Sequence, residues 1–286
     1  MAYPAPGLGT LVAEPVRRAI AEQVVSVFND RRRGERPIAR RPDGLFGPRS
    51  VIWRVHGDVT SMMVGGVAAL LMQMLHPAVL GGVWDHSRFR ADMQGRLRRT
   101  ARFIALTTYG GREEAHAAVA RVRHIHAHVR GTLPDGTPYA ANDPSLLAWV
   151  HVTEATSFLD AWIRYAEPRM TPAAQDRYLA EIAEIGASLG ADPVPRDRAA
   201  ARRLITAMRP GLRVDGRTRE VARLLLTQPA PSRLAQPFQA ITLAAGVELL
   251  PGWARQMHGL APPPLAGPLA RAGALGLARI LRWVFR

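Results

Sequence analysis

The chain has 286 residues and a formal net charge of +15, and it contains neither lysine nor cysteine. Without lysine it cannot form a Schiff base, attach pyridoxal phosphate or build a phosphate-binding loop around a lysine. Without cysteine it has no disulfides, cysteine-held iron–sulfur clusters, thiolate haem ligand or covalent haem attachment.

The composition favours helices. The chain is 48% hydrophobic but only 6% aromatic, and it is rich in Ala, Leu and Arg. We predict an all-α protein built as a single large helical domain of about ten or more helices. Residues 1–43 are interpreted as an N-terminal helix and a basic Pro/Gly-rich arm, 44–250 as the main helical domain, and 251–286 as a Pro-rich segment with a basic amphipathic helix.

The lack of cysteine and of a recognisable export signal favours a cytoplasmic location, and we expect a small-molecule partner. The arginines are spread along the whole sequence, which is typical of a coding bias, so we expect no nucleic-acid partner. No secretion signal is recognised in the first residues, and the longest apolar segment, 59–75, is interpreted as a core helix. The sequence makes no prediction of oligomeric state.

In chain order, the first half contains four predicted helices. They cover 15–30, 51–75, 92–108 and 112–129. A Pro/Gly-rich arm follows the first helix, and His76-Pro77 ends the second, because the residue before proline is pushed out of helical geometry. A loop through Gly81-Gly82 leads to the third helix. The third and fourth helices form an antiparallel pair across Gly110-Gly111.

The second half begins with turn residues over 131–138. Asp143 is a predicted N-cap with Pro144 at the first helical position, and that helix runs to 165. Another helix covers 172–189, and prolines divide the remainder into short helices. The tail over 265–286 carries four arginines among apolar residues, so it is either a helix docked on the core or a helix lying on a membrane surface.

Three histidines lie close together in the fourth predicted helix. Residues two apart on a helix point about 200° away from each other, so His124, His126 and His128 cannot converge on one ion. His124 and His128 share a face with Arg121. His126 instead continues an apolar stripe, which consists of Val119, Val122, His126 and Val129. His126 is therefore the inward-facing histidine, either a hydrogen-bonded core residue or a ligand.

Two neighbouring helices also direct polar groups inward. Arg96 and Thr100 stand four residues apart on one side of the third helix, which offers a cation and a hydroxyl. On the 144–165 helix, His151 and Glu154 share a face with apolar residues. They either hydrogen-bond to each other and tether helices or line a site.

The remaining polar residues are mostly assigned to local structure. His76 and His86 are interpreted as residues of a site wall or as helix-end caps, and Asp135, Asp143 and Asp160 as turn, cap and surface residues.

Taken in order, these motifs resemble the catalytic domain shared by bacterial rubber oxygenase (the latex-clearing protein) and the mycophenolate-pathway oxygenase. The resemblance covers about 44–165. It rests on Gln73-x-x-His76-Pro77, His86-Ser87, Arg96-x-x-x-Thr100, Ile125-His126-Ala-x-Val129-x-Gly131, Tyr139 and Trp149-Val-His151.

The resemblance implies non-covalent haem b in a pocket between core helices, with His126 as the iron ligand. It places Arg96 and Thr100 on the distal side as catalytic residues, with His76 and His151 also contacting the cofactor. It further implies O₂ and a small apolar substrate, isoprenoid or otherwise unsaturated. One residue departs from the pattern: Arg99 stands where the latex-clearing protein has a lysine.

Three functions follow from these patterns. The leading hypothesis is a haem-dependent oxygenase. The second is a non-catalytic haem-binding or oxygen-sensing protein, with a peripheral membrane contact through the basic tail. The third is a zinc or non-haem iron enzyme that uses His124 and His128 as a pair, although no Glu accompanies them in a His-Glu-x-x-His arrangement.

Overall fold

A computed structural model describes residues 34–230, 232–233, 235–260 and 266–284, together with six isolated positions between 14 and 29. The helix predicted over 15–30 therefore lies largely outside the described residues. Within them are twelve α-helices and one two-stranded hairpin. The helices are α1 (Val51–His56), α2 (Val59–Gln73), α3 (Pro77–His86), α4 (Met93–Tyr109), α5 (Arg112–Ala127), α6 (Pro144–Tyr165), α7 (Pro172–Leu189), α8 (Arg198–Met208), α9 (Gly216–Leu226), α10 (Gln236–Leu249), α11 (Gly252–His258) and α12 (Ala266–Val284). The prediction of a mostly helical protein is confirmed.

The centre of the molecule is the packing of α2 against α6. Helix α2 is apolar around most of its circumference and largely buried, as expected for a core helix. Gly65 lets the two backbones approach closely, because a Cβ built there would lie 2.9 Å from the Ser157 carbonyl oxygen. Helices α1, α10 and α12 also pack on α2.

The single helix predicted over 51–75 is wrong, because the structure divides it at Gly57-Asp58. Helix α1 ends at His56, and the Asp58 side chain accepts a hydrogen bond from the Ser61 N–H at 2.8 Å to begin α2. Glycine and aspartate are the residue types that favour such a break, since one weakens a helix and the other caps the next.

The loop predicted through Gly81-Gly82 is also wrong, because these glycines lie inside α3. Pro77 does exclude helical geometry at His76, but its fixed φ also suits the first turn of a new helix. Helices α2 and α3 consequently meet at a bend of 103°. A Cβ on Gly81 would lie 2.8 Å from Leu133 Cδ2, so this glycine permits contact with the following hairpin.

That hairpin occupies the segment predicted as a turn. Strands β1 (Arg130–Thr132) and β2 (Pro138–Ala140) are antiparallel, with Arg130 opposite Ala140. Tyr139 is buried against α3, where its hydroxyl donates to the Asp85 carboxylate at 2.6 Å. The hairpin therefore fixes α3 in place beside the α5–α6 connection.

The other predicted helices agree with the structure within two residues at each end. The α4–α5 pair is joined through Gly110-Gly111, and Asp143 and Pro144 begin α6 as expected. Helix α7 has the predicted bounds of 172–189.

Helix α12 packs across α2 and α10 through a buried apolar face. Arg282 on α12 donates to Asp58 at 2.7 Å and to the Tyr165 carbonyl at 2.8 Å. Arg271 donates to Glu248 of α10 at 2.6 Å. These contacts attach α12 to the core.

Across the part of the chain that the structure describes, no single helix is long and apolar enough to cross a membrane. Taken together, the bent pair α2 and α3 is long and apolar enough, by length and composition alone.

Candidate functional site

Helix α4 carries Arg96 and Thr100. Arg96 is half-buried and forms no hydrogen bond or ion pair through its side chain with the described residues. Burial lowers the pKa of Arg96, and the nearby charge of Arg99 lowers it further. Thr100 is exposed, and its hydroxyl donates to the Arg96 carbonyl at 3.3 Å. Arg99 is exposed and pairs with Asp92 at 3.5 Å, so a lysine-like role for it gains no support.

The apolar side of α4 is incompletely covered. Every residue from Met93 to Leu106 retains some exposure, including the large side chains of Leu97, Phe103 and Ile104. These side chains nevertheless pack against the main core cluster. Helix α4 thus presents partly uncovered apolar side chains within a well-packed protein, as the wall of an apolar site would.

His126 on α5 is half-buried rather than fully enclosed, and it is the least exposed of the three neighbouring histidines. Its Nδ1 is buried without a hydrogen-bond partner, and its Nε2 also has no partner among the described residues. Burial lowers the pKa of His126, which favours the neutral imidazole that binds metals. His124 and His128 are exposed on the opposite side, with ring centres 4.8 Å apart.

His76 is the N-cap residue of α3, but its side chain forms no capping hydrogen bond. Its ring lies 6.4 Å from that of the fully buried Trp149, and its Nδ1 is buried without a partner. Burial lowers the pKa of His76. His86, in contrast, is exposed and donates from Nε2 to the Arg130 carbonyl at 3.0 Å, which ties α3 to β1. His76 therefore has a ring nitrogen that can still bind a ligand, whereas His86 has a structural role.

His151 on α6 packs directly against α7. A Cβ on Gly186 would lie 2.7 Å from His151 Nδ1, so only glycine leaves room for this ring. Its Nε2 is buried without a hydrogen-bond partner among the residues that the structure describes, and burial lowers the pKa of His151 to about 4. The imidazole is thus neutral at physiological pH.

Glu154, one turn further along α6, has no hydrogen bond or ion pair with the described residues. Burial raises the pKa of its carboxyl to about 7. Of the two roles considered for this pair, the His–Glu tether is not formed, because the side chains of His151 and Glu154 do not bond to each other. Glu154 is a carboxyl that holds its proton near neutral pH.

A buried polar group next to Glu154 was missed by the sequence analysis. His56 on α1 is hydrogen-bonded through Nδ1 to the Thr108 hydroxyl at 2.8 Å and through Nε2 to the Tyr178 hydroxyl at 3.0 Å. Burial raises the pKa of Tyr178, and the charge of Glu154 raises it further. The position of His56 at the end of the mostly apolar run 51–56 was the signal that could have revealed it, since a buried imidazole needs partners.

Direct contacts connect the helices that carry these residues. Trp149 Nε1 donates to the Gln73 carbonyl at 3.3 Å, which joins α6 to the end of α2 beside His76. Arg123 of α5 donates to the Ser188 carbonyl of α7 at 3.4 Å, and α7 in turn contacts His151. Helices α4 and α5 pack as an antiparallel pair. The predicted residues thus lie on adjoining helices. Among the described residues, no hydrogen bond joins predicted site residues of different helices, and Thr100 bonds to the Arg96 carbonyl of its own helix.

The arrangement suits a ligand that supplies hydrogen-bond or coordination partners to the buried imidazole nitrogens. Buried imidazole nitrogens without partners are costly, and a bound group that coordinates or hydrogen-bonds to them would offset that cost. Three such nitrogens belong to His76, His126 and His151. Within the described ranges, no three His, Asp or Glu side chains come together to hold a metal ion. Two surface pockets, one on α8 and one between α9, α10 and α12, contain none of these histidines.

Comparison with known proteins gives one match. The family model described as "ER-bound oxygenase mpaB/B'/Rubber oxygenase, catalytic domain" matches residues 53–284. No curated protein and no solved structure matches the chain significantly. The matched range contains His76, Arg96, Thr100, His126 and His151.

Proposed function

Since the chain belongs to the mpaB/rubber oxygenase catalytic-domain family, we propose that this oxidoreductase is a haem b-dependent oxygenase that uses O₂ to oxidise a small apolar substrate. The observation that carries the proposal is His126. It is a half-buried imidazole with a lowered pKa, and neither nitrogen has a hydrogen-bond partner in the part of the chain that the structure describes; the sequence has no cysteine. A single axial histidine is enough to hold a porphyrin iron.

The chain's own residues fit such a group in three ways. His126 would ligate the iron, and His76 and His151 would contact the cofactor through nitrogens that now lack partners. Arg96 forms no ion pair with an acidic side chain of the described residues, so its guanidinium can bind a carboxylate or a reduced oxygen species. Bound haem would supply the iron that activates O₂, while the protein supplies orientation and charge.

Proton handling would fall to groups on α4 and α6. The Thr100 hydroxyl, now bonded to the Arg96 carbonyl, can rotate to donate a hydrogen bond toward the centre of the site. Glu154 holds a proton near neutral pH and can release it with little cost, because the pKa of its carboxyl is about 7. Tyr178 and His56 lie behind it as further hydrogen-bonding groups.

An apolar substrate is supported by the partly uncovered side chains of α4. Leu97, Phe103 and Ile104 retain exposure on a helix that also carries Arg96. An isoprenoid or other unsaturated chain would bury this surface and gain free energy from leaving water. The reacting bond would then lie near the oxygen-binding groups.

Two alternatives make different predictions. A non-catalytic haem protein would bind haem but consume no O₂ in the presence of apolar alkenes. A zinc or non-haem iron enzyme would need a third ligand beside His124 and His128, and the described part of the chain offers no such cluster. Haem ligation by His126 needs no cluster and is therefore favoured.

The test is the absorption spectrum of protein expressed with adequate haem. We expect a red protein with a strong Soret band. His126→Ala should lose this band, because it removes the side chain that would hold the haem iron. His124→Ala is the matched control, since it removes an exposed imidazole two residues away and should leave the spectrum unchanged.

Protein that stays colourless after haem supplementation, with zinc found by elemental analysis, would contradict the proposal. A Soret band that survives His126→Ala would contradict the assignment of the ligand.

A further inference from the structure

The outward face of α12 is apolar. Its exposed large side chains are Leu269, Ile280 and Trp283, which are 70%, 42% and 46% accessible. Together with two small residues that lie between them, these side chains are three, four, four and three positions apart, which places all five on one side of the helix. We call this set the outer stripe, which consists of Leu269, Ala272, Gly276, Ile280 and Trp283. At 1.5 Å per residue the stripe is about 21 Å long.

The outer stripe is distinct from the face that holds α12 on the protein. The inward face is formed by buried residues on the opposite side of the helix, namely Ala274, Leu277, Ala278, Leu281 and Val284. The ion pairs of Arg271 with Glu248 and of Arg282 with Asp58 fix the rotation of the helix. Folding therefore leaves the outer stripe in water. Single exposed apolar residues are ordinary on protein surfaces, but an aligned row of them is not.

The charges on α12 itself are all positive. Helix α12 contains three arginines and no acidic residue. Arg279 is exposed at the margin of the stripe and forms no ion pair or hydrogen bond with the residues that the structure describes. The whole chain carries +15. A partner for this face must therefore accept apolar side chains and supply negative charge.

We propose that the outer stripe docks on an anionic membrane surface. Leu269 and Ile280 would enter the boundary between headgroups and acyl chains, and the Trp283 ring would lie at headgroup level, which indole rings favour. Arg279 would bind lipid phosphates. A second copy of the chain fits less well, because a two-fold contact would bring two Arg279 side chains and two strongly positive molecules together.

The test is co-sedimentation with vesicles of phosphatidylcholine alone and of phosphatidylcholine containing phosphatidylserine. We expect binding to the anionic vesicles only. The triple variant Leu269→Ser/Ile280→Ser/Trp283→Ser keeps every charge, so it separates insertion of the stripe from general attraction of a basic protein. Its partition coefficient should fall at least about tenfold, since three apolar side chains no longer leave water.

Ile125→Ser is the matched control, because it removes one large apolar side chain of 53% exposure from a different surface. It should bind vesicles like the parent protein. Thermal melting and helix content establish that each variant is folded.

Equal binding of the triple variant and the parent would overturn the proposal, as would absence of binding to either vesicle. Light scattering without lipid that shows a dimer, lost in the triple variant, would assign the stripe to self-association instead. None of these measurements depends on haem, so the outcome is independent of the proposed function.

Discussion

Two titratable side chains with shifted pKa values, His56 and Glu154, differ in whether they have hydrogen-bond partners. His56 has hydrogen-bond partners on both nitrogens, and burial lowers its pKa to about 3. Glu154 has none among the described residues, and burial raises the pKa of its carboxyl to about 7. A fully bonded group is typical of structure, whereas an unpartnered carboxyl with a shifted pKa is typical of a functional site.

The raised pKa predicts how stability depends on pH. The folded protein binds the Glu154 proton more tightly than the unfolded chain does, so stability is highest below the ordinary carboxyl pKa and falls as pH rises toward about 7. Glu154→Gln cannot lose a proton. We expect its free energy of unfolding, relative to the parent, to rise by roughly 2 kcal/mol between pH 5 and pH 8. Denaturant unfolding at both pH values measures this.

Lowered histidine pKa values also affect stability in acid, but both proteins share them, so the comparison cancels their contribution. Glu184→Gln, an exposed glutamate on α7, is the control and should behave like the parent. Identical pH profiles for the parent and Glu154→Gln would contradict the assignment.

Helical spacing predicted which side chains face inward, but not what they meet. It correctly separated His126 from His124 and His128, since direction around a helix follows from sequence alone. It did not reveal the absence of a bond between His151 and Glu154. It also missed the bonds from His56 to Thr108 and Tyr178, because these residues are 52 and 122 positions away along the chain.

At the level of elements, contact between α2 and α6 depends on one of two adjacent glycines. A Cβ on Gly65 would lie 2.9 Å from the Ser157 carbonyl oxygen and 3.0 Å from Phe158 Cα, which are backbone atoms that cannot easily move. A Cβ on Gly66 would meet only the edge of the Phe158 ring, at 3.9 Å. Of these two neighbours on one helix, Gly66 therefore has room for a methyl group and Gly65 does not.

We expect Gly65→Ala to destabilise the protein by about 2 kcal/mol, because overpacking outweighs the gain in helix propensity. Gly66→Ala is the matched control and should be neutral or more stable by up to about 1 kcal/mol. Thermal melting of both variants measures the difference. A similar shift of the melting temperature in the same direction for both variants would show that close backbone contact at Gly65 is not needed for α2 to pack on α6.

Helix ends were predictable where a cap and a proline agree, as at Asp143 and Pro144. They were not predictable where one signal has two meanings. Asp58 lay within an apolar run that masked its role as a cap, and Pro77 both ended one helix and began the next. The β1–β2 hairpin was missed because three-residue strands carry too little periodicity to be recognised.

At the scale of the whole molecule, one carboxylate joins distant parts of the chain. Asp58 caps α2 and accepts the Arg282 guanidinium of α12 at 2.7 Å, while its side chain is only 7% exposed. Loss of this carboxylate would remove a cap and leave a partly buried cation without its partner.

We expect Asp58→Ala to lower the free energy of unfolding by about 3 kcal/mol. Asp92→Ala is the comparison, because Asp92 also caps a helix but is exposed and pairs loosely with Arg99. That variant should lose about 1 kcal/mol. Chemical denaturation distinguishes the two, and equal losses would mean that the contact with α12 adds nothing to the cap.

The Asp58–Arg282 pair spans 224 positions of sequence. Ribosomes add about 5–20 residues per second, so a nascent α2 waits roughly 10–45 seconds for the helix that will cover it. Throughout that interval an almost entirely apolar segment is without its final neighbour. Until translation reaches α12, α2 can pack on α1, α6 and α10, but the face that α12 covers stays open to contact with other chains.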